Sequence, residues 1–333
     1  MRALLGGLGL AIVGITVYLA PAVSGMTHAV LGLLIAVTLW FVWRWPQLER
    51  RLAVDGAPAV ESARPRPFDL AVGFVTNFFD ALGIGNFAPT TAALKFTRRI
   101  PDEDIPGTLN VGHAFPVLTE ALIFIAAIVV DPRLLIAMIV ASILGAWLGA
   151  GVVARMPRRA IQIGMGIALA SAAALFITTR PAGGSATALS GTFFLAAVAG
   201  NFVLGALMTL GIGLYAPCLI MLSLLGLDPR AVFPIMMGSC AFLMPVGGMR
   251  FVRTRRYNPS VALGFALAGP PAVLIAGYLV KSMPLAWLKW LVACVVLYAA
   301  AMMLTSALRG APEADGGMRG RLDVAERTQK AGE

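Results

Sequence analysis

Continuous apolar runs about as long as a bilayer is thick recur along this chain of 333 residues. A helix needs about 20 apolar residues to cross the hydrocarbon core of a membrane. The runs do not alternate between apolar and polar residues, which favours helices over a β-barrel. We therefore predict an all-α integral membrane protein with about eight full transmembrane helices, at 3–20, 27–45, 110–130, 133–154, 159–179, 231–252, 259–280 and 284–306.

The composition excludes a soluble enzyme. Only 13% of the residues are charged and 59% are hydrophobic, whereas soluble domains carry about 25% charged residues. A water-soluble fold of this size could not hide so much apolar surface. The formal net charge is +10, but the basic residues lie in the gaps between apolar runs, so we expect no nucleic acid partner. The positive charge suits the anionic cytoplasmic leaflet of the lipid bilayer instead.

Two further apolar stretches, 68–96 and 189–226, are interrupted by glycine and proline, and they are related to each other. The segment LGIGNFAP at 82–89 recurs as LGIGLYAP at 210–217, which is 128 residues later. Three more dipeptides have matches in the same order at a spacing of 127: AF at 114–115 and 241–242, DP at 131–132 with the similar NP at 258–259, and MP at 156–157 and 283–284. Duplicated halves with discontinuous helices are the layout of many secondary transporters.

The predicted organisation follows from these boundaries. Residues 1–45 form an N-terminal transmembrane hairpin, and 46–67 form a cytoplasmic linker with four prolines. Repeat one spans 68–180 and repeat two spans 189–308. The polar, glycine-rich segment 309–333 is predicted to be a disordered cytoplasmic tail. Residues 1–24 also fit a cleaved signal peptide, although their apolar stretch is long for one.

The placement of basic residues gives the orientation. If each interrupted segment enters the membrane and returns to the same side, 21 of the 26 basic residues face the cytoplasm. The positive-inside rule selects this arrangement, with both termini cytoplasmic. Three full spans and one re-entrant segment per repeat also make the two repeats inverted. The five basic residues left on the outside are Arg133, Arg180, Arg230, Lys281 and Lys289.

The interrupted segments are the predicted substrate site. Backbone that leaves a helix at membrane depth is tolerated only where protein or a water-filled cavity surrounds it. Each proline of the repeated motif sits where a second half-helix would begin, and helix N-termini attract small anions. Gly83, Gly85, Gly211 and Gly213 are therefore candidate substrate-binding residues, although glycines at these positions also suit tight helix packing.

Polar residues near the first interruption extend this site. Asp80 and Glu120 are candidate carriers of a coupled proton, because ionisable groups at membrane depth face a cavity or a partner. His113 titrates near neutral pH when unperturbed, but it equally suits a neutral, backbone-bonded role. The substrate-binding candidates of the first repeat are Asn86, Thr90, Asn110 and His113.

The matching positions of the second repeat are less polar. The candidates there are Tyr215, Cys218, Ser239 and Cys240, so the predicted site is asymmetric. The cysteines have no CxxC or other metal-site spacing, and buried small hydrophobic residues are an alternative reading of all three in the chain. The sequence predicts no cofactor, no catalytic residue and no metal site.

Two further glycine-rich stretches accompany the first interruption. They are PGTLNVGH at 106–113 and LGAWLGAG at 144–151, the second of which precedes the basic turn RMP at 155–157. This arrangement resembles the TauE/SafE family of sulfite exporters over about 68–308. The resemblance implies an inner-membrane permease that moves small sulfur-containing or organic anions. The chain departs from the family's pattern at 83–87, where GIGNF replaces a run of glycines.

We therefore expect a proton-coupled secondary transporter for a small anion such as sulfite or a sulfonate, with alternating access around the two interruptions. The chain has no Walker motif. Two alternatives stay open from the residues alone. One is a membrane-embedded enzyme or assembly factor that uses Asp80, His113 and Glu120, and the other is an anion channel. Import and export both fit the sequence, as do a monomer and a homodimer.

Overall fold

The computed structural model describes residues 2–19, 25–54, 64–153, 158–179, 186–208 and 213–308. These residues contain no β-strand, only an isolated bridge between Ala186 and Leu227. The helices are α1 (Arg2–Leu19), α2 (Gly25–Val54), α3 (Pro67–Ala81), α4 (Phe87–Phe96), α5 (Ile105–Gly112), α6 (Ala114–Ala127), α7 (Pro132–Val153), α8 (Arg158–Thr179), α9 (Gly191–Met208), α10 (Tyr215–Leu224), α11 (Pro229–Ala241), α12 (Leu243–Thr254), α13 (Pro259–Ser282) and α14 (Leu285–Leu308).

The prediction of an all-α integral membrane protein is confirmed. Two predicted spans, 3–20 and 133–154, correspond to α1 and α7, whose described apolar stretches are shorter than a full span. Within the described ranges, seven helical stretches are long and apolar enough to cross a membrane: Gly25–Arg51, Asp102–Ala127, Arg159–Thr178, Gly191–Met208, Pro229–Thr254, Pro259–Val280 and Ala286–Leu308.

Two of these stretches differ from the uninterrupted helices that the sequence predicted at 110–130 and 231–252. The first bends at His113, between α5 and α6, and the second bends at Phe242, between α11 and α12. A proline lies three residues after each bend, at Pro116 and Pro245. A proline has no N–H for the carbonyl four residues earlier, and its ring crowds that carbonyl, so the preceding helix ends there.

The predicted interruptions at 68–96 and 189–226 are both present as pairs of helices, α3 with α4 and α9 with α10. After α3 the chain turns through Gly83 and Gly85, whose φ angles are 95° and 88°. The Ile84 N–H donates to the Phe79 carbonyl at 3.1 Å, which closes the end of α3. Only glycine adopts such φ angles without strain.

The second helix of each pair has the same length and the same ending. Both α4 and α10 have ten residues, and their first residues are 128 positions apart. Arg98 has a φ of 48° in the turn after α4, and Gly226, 128 positions later, has a φ of 95° after α10. The following N–H returns to the helix in both turns, from Arg99 to Leu94 and from Leu227 to Leu222. These matching turns are what two repeats of one structure would produce.

The helices of the two predicted repeats pack crosswise. Helix α3 packs against α13, and α9, its counterpart in the second repeat, packs against α7, the counterpart of α13. Helix α8 packs against its own counterpart, α14. The crossings are close because small residues lie in them. A Cβ at Gly73 would come within 2.7 Å of the Phe265 backbone, and one at Gly205 would collide with the Ser142 backbone.

The bends lie at the centre of the molecule. Helices α6 and α11 are almost entirely buried, whereas α2, α8, α9 and α14 each keep a large exposed surface. Helix α6 contacts α11 and α13 and also both helices of the N-terminal hairpin. Polar side chains on α6 are therefore enclosed by protein.

The N-terminal hairpin is also tied to the turn between α12 and α13. Helix α2 runs on past residue 45 to Val54, and Trp45 Nε1 donates to the Tyr257 hydroxyl at 2.9 Å. The Tyr257 hydroxyl donates to Glu49, which also pairs with Arg255 Nη1 at 3.0 Å. Burial and the nearby Glu49 charge raise the pKa of Tyr257 well above its usual range, so this hydroxyl keeps its proton at neutral pH.

Candidate functional site

Asp80 lies in the last turn of α3, and its carboxyl group is buried against the start of α4. The Asn86 side-chain amide donates to Asp80 Oδ2 at 2.6 Å, and the Asn86 backbone N–H also donates to this carboxyl group. Asn86 is the N-cap of α4. The protein's own carboxylate therefore lies at the positive end of the half-helix, which is the end that the sequence assigned to a substrate anion.

A hydrogen-bonded chain continues from Asn86 to His113 at the bend between α5 and α6. Asn77 Nδ2 donates to the Gly73 carbonyl at 2.6 Å, which turns Asn77 Oδ1 toward Asn86 Nδ2 at 3.1 Å and His113 Nδ1 at 2.9 Å. Because Asn77 Oδ1 can only accept, His113 Nδ1 carries a hydrogen. The Thr90 hydroxyl bonds to the other ring nitrogen, Nε2, at 3.2 Å.

Both nitrogens of the His113 ring are therefore engaged by side chains of α3 and α4. The ring also stacks on Phe265 of α13, with the ring centroids 4.8 Å apart. The hydrogen-bond partners of His113 are thus side chains, whereas the alternative role drawn from the sequence had backbone partners. At the bend, His113 therefore contacts three helices: it is hydrogen-bonded to α3 and α4 and stacked on α13.

Glu120 links the first repeat to the second. It is fully buried on α6, and the Tyr215 hydroxyl at the start of α10 donates to Glu120 Oε2 at 3.0 Å. Its other oxygen, Oε1, accepts from no N–H or hydroxyl group among the described residues. Asp80 and Glu120 also interact with each other. We call Asn77, Asp80, Asn86, Thr90, His113, Glu120 and Tyr215 the break cluster.

No basic side chain compensates the two carboxyl groups of the break cluster within the described part of the chain. The ion pairs that the structure shows lie elsewhere, such as Arg99 Nη2 with Asp69 Oδ2 at 3.0 Å. A buried carboxylate without a cationic partner is costly at membrane depth. The arrangement therefore suits groups that gain and lose protons.

The second repeat faces the break cluster with sulfur-containing side chains. Cys240 is the counterpart of His113, and its Sγ lies 3.6 Å from Sδ of Met208, the counterpart of Asp80. Cys218 is the counterpart of Thr90 and is fully buried. Cys240 lies within electrostatic range of Cys218 and Asp80. No group of three His, Cys, Asp or Glu residues in the described ranges is placed to hold a metal ion.

Several predicted site residues lie outside the break cluster. Asn110 is half-buried and donates to the Pro106 carbonyl within its own helix. Ser239 is buried, and its hydroxyl accepts a hydrogen bond from Asn201. Gly213 is exposed at the start of α10, and Gly211 lies outside the described residues. Gly83 is buried beside Leu219, whereas a Cβ added at Gly85 would meet no atom within 4 Å.

Two residues of importance were not assigned a role from the sequence. Asn77 holds the centre of the hydrogen-bonded chain, and Asn201 joins α9 to α7 and α11. Each is an asparagine inside an apolar span, which is itself a signal of a buried partner. The sequence pattern identifies the residue but not the partner, because the partners are up to 63 positions away.

A family model described as Sulfite exporter TauE/SafE matches residues 1–176. The match includes the N-terminal hairpin, so the prediction that the resemblance begins near residue 68 was wrong. It ends within the first repeat and does not include 189–308. No curated protein and no solved structure gave a significant match.

Proposed function

The chain belongs to the sulfite exporter TauE/SafE family of membrane transporters, and from this premise we propose that it is a proton-coupled secondary transporter for a small sulfur-containing or organic anion such as sulfite or a sulfonate. We place it in the inner membrane with both termini in the cytoplasm. The observation that carries the proposal is the break cluster, in which the buried carboxyl groups of Asp80 and Glu120 bond to the starts of α4 and α10, respectively.

The proposed coupling is a competition between two anions for the same donors. The Asp80 carboxylate holds the Asn86 amide and backbone N–H at the start of α4. A protonated Asp80 holds these donors less strongly, because charge-assisted hydrogen bonds are about twice as strong as neutral ones. A proton on Asp80 therefore frees the start of α4 for a substrate anion, so proton and anion bind together.

The bond between Glu120 and Tyr215 connects this event to movement of the two repeats. Glu120 lies on α6 of the first repeat and Tyr215 lies at the start of α10 in the second. Alternating access requires one repeat to move against the other around the site. Protonation of Glu120 weakens its bond with Tyr215 and allows that movement.

Cys218 and Cys240 complete the proposed substrate surface. Their thiols are weak hydrogen-bond donors. Cys240 interacts electrostatically with both carboxyl groups and with Cys218. A substrate anion held between α4 and α10 would contact amide and hydroxyl groups on one side and thiols on the other.

Counterflow in proteoliposomes tests the proposal. Vesicles with the purified protein are loaded with unlabelled sulfite, a sulfonate or a carboxylate, and the entry of the same labelled anion is followed. Saturable, transient accumulation of a labelled anion is the expected result. Uncoupled passive flux would instead identify a channel, and no exchange with any of these anions would reject transport of a small anion.

Two isosteric variants test whether the break cluster is the site of anion transport. Thr90→Val removes the hydroxyl that bonds His113 and keeps the side-chain shape. The loss of one hydrogen bond of about 1 kcal/mol predicts an increase of about fivefold in the half-saturating anion concentration. Thr178→Val is the matched control, since Thr178 is exposed on α8 and bonds only its own helix. Equal effects of the two variants would contradict the assignment.

A further inference from the structure

A second buried polar cluster lies where α7, α9 and α11 meet. Asn201 of α9 donates through Nδ2 to the Met138 carbonyl of α7 at 2.7 Å and to Ser239 Oγ of α11 at 3.0 Å. Ser142 of α7 donates to the Ser239 carbonyl at 3.3 Å. All four residues are fully buried. We call Ser142, Asn201 and Ser239 the Asn201 cluster.

One oxygen of this cluster has no hydrogen-bond partner among the residues that the structure describes. A carbonyl can only accept, so the Met138 carbonyl fixes the Asn201 amide with Nδ2 toward α7. Asn201 Oδ1 is then directed away from Met138, and it has no donor within the described part of the chain. A buried polar atom without a partner is rare and requires a physical explanation.

The neighbouring hydroxyl groups cannot supply the missing hydrogen. The Ser239 hydroxyl donates to the Ile235 carbonyl at 2.8 Å. The Ser142 hydroxyl is used by the carbonyls of Ile139, at 2.8 Å, and Ser239. Each hydroxyl has only one hydrogen. The cluster therefore offers lone pairs of neutral oxygen atoms and no free donor, which suits a hard cation.

The fold itself does not require these polar residues. At the equivalent crossing of α3, α5 and α13, the three positions are Gly73, Gly112 and Gly269, which are 127 or 128 positions from Asn201, Ser239 and Ser142. Phe265 fills the corresponding space, because a Cβ at Gly73 or Gly112 would lie within 3.1 Å of its ring. The same kind of crossing is thus made once with three glycines and once with three oxygen-bearing side chains.

We propose that the Asn201 cluster binds a sodium ion. Neutral oxygen ligands at a membrane-depth crossing of helices are the type of site that sodium-coupled transporters use. Ser239 is adjacent in sequence to Cys240, which lies within electrostatic range of Asp80 and Glu120. If the proposed anion transport is correct, a sodium ion in the Asn201 cluster also adds positive charge near the break cluster, whose residues include no lysine or arginine.

Thermal unfolding of the purified full-length chain in detergent tests the proposal without any sulfur anion or proton gradient. Melting is followed as NaCl replaces choline chloride or KCl at constant ionic strength. We expect a saturable rise of the melting temperature with Na⁺, because a ligand that binds the folded state stabilises it. Since no substrate is added, failure of the anion counterflow assay leaves this result intact.

Two variants and one control locate the ion. Ser142→Ala removes a hydroxyl with little change of shape, and the loss of one ligand predicts an increase of about fivefold in the half-saturating Na⁺ concentration. Asn201→Leu should abolish the Na⁺ effect. Ser223→Ala is the matched control, because Ser223 is a buried serine that donates only to the Leu219 carbonyl. It should leave the Na⁺ response unchanged.

Three results would overturn the proposal. The first is no stabilisation by Na⁺ beyond that by choline, as expected if the cluster holds only a water molecule. The second is equal stabilisation by K⁺ and Na⁺. The third is an unchanged Na⁺ response in Ser142→Ala. We expect this conservative variant to fold even where Asn201→Leu does not, so the proposal stays testable.

Discussion

The hydrogen bond between Tyr215 and Glu120 predicts a measurable coupling between the two repeats. Tyr215→Phe removes the donor, Glu120→Met removes the acceptor at similar volume, and the double variant completes a thermodynamic cycle. The Tyr215 hydroxyl lies 3.0 Å from Glu120 Oε2, and Glu120 Oε1 accepts from no N–H or hydroxyl group among the described residues. Loss of the tyrosine hydroxyl therefore leaves the buried Glu120 carboxyl group with only its interaction with Asp80 among the described residues.

The size of the coupling follows from that geometry. Hydrogen bonds between membrane helices average about 0.6 kcal/mol in such cycles, with a maximum of about 1.7 kcal/mol. Because the Tyr215 hydroxyl is the hydrogen-bond donor shown for Glu120 within the described ranges, we expect a value near the upper limit, about 1.5 kcal/mol. Free energies of unfolding are measured by titration of mixed micelles with sodium dodecyl sulfate.

Tyr278→Phe is the control for this cycle, because Tyr278 is an exposed tyrosine on α13. It should change the free energy of unfolding by less than about 0.5 kcal/mol. A coupling energy below about 0.3 kcal/mol between Tyr215 and Glu120 would refute the reasoning. It would mean that α10 and α6 are not joined at the break cluster.

Three further predictions concern packing, backbone strain and the N-terminal hairpin. Gly205→Ala should destabilise the protein by about 1–3 kcal/mol, because the new Cβ collides with the α7 backbone. Gly164→Ala on α8 is the control and should be neutral or stabilising. The same micelle titration compares the two variants. Arg98→Gly should not lower the melting temperature, because it relieves a positive φ angle, and a clear decrease would contradict the assigned turn. Tyr257→Phe should lower the free energy of unfolding by about 1–3 kcal/mol at neutral pH. The pKa of Tyr257 in the folded protein lies above that of a free tyrosine. The stability from its bond with Glu49 is therefore present below about pH 10 and is lost as the pH rises further. Melting temperatures of the variant that match those of the wild type across a pH series would contradict this.

Local pattern predicted the helical class and the positions of the interruptions. Glycine and proline mark the ends of α3 and the starts of α4 and α10 because their backbone preferences act within a few residues. The recurrence of 82–89 at 210–217 predicted that the two interruptions have related structures. Asp80, Asn86 and Thr90 were identified as candidates because they lie within this short stretch, close to one another along the chain.

Contacts between distant segments could not be derived in the same way. The bend at His113 follows from Pro116, but an apolar run with one proline also suits an uninterrupted span, so 110–130 was predicted as one helix. Ser239 was assigned to the substrate site by its position beside Cys240. A residue that follows another along a helix points about 100° away from it, and Ser239 accordingly bonds to Asn201 instead.

Proton-driven uptake by the Asp80→Asn variant tests the central claim most directly. Proteoliposomes with the wild-type protein or the variant are given an inward proton gradient, and accumulation of labelled anion is measured beside anion exchange without a gradient. Asp102→Asn is the control, because Asp102 is an exposed acid that pairs with Lys95. We predict that Asp80→Asn abolishes gradient-driven accumulation and retains exchange, while Asp102→Asn retains both. Accumulation by Asp80→Asn with an unchanged dependence on the proton gradient would contradict the proposed role of Asp80.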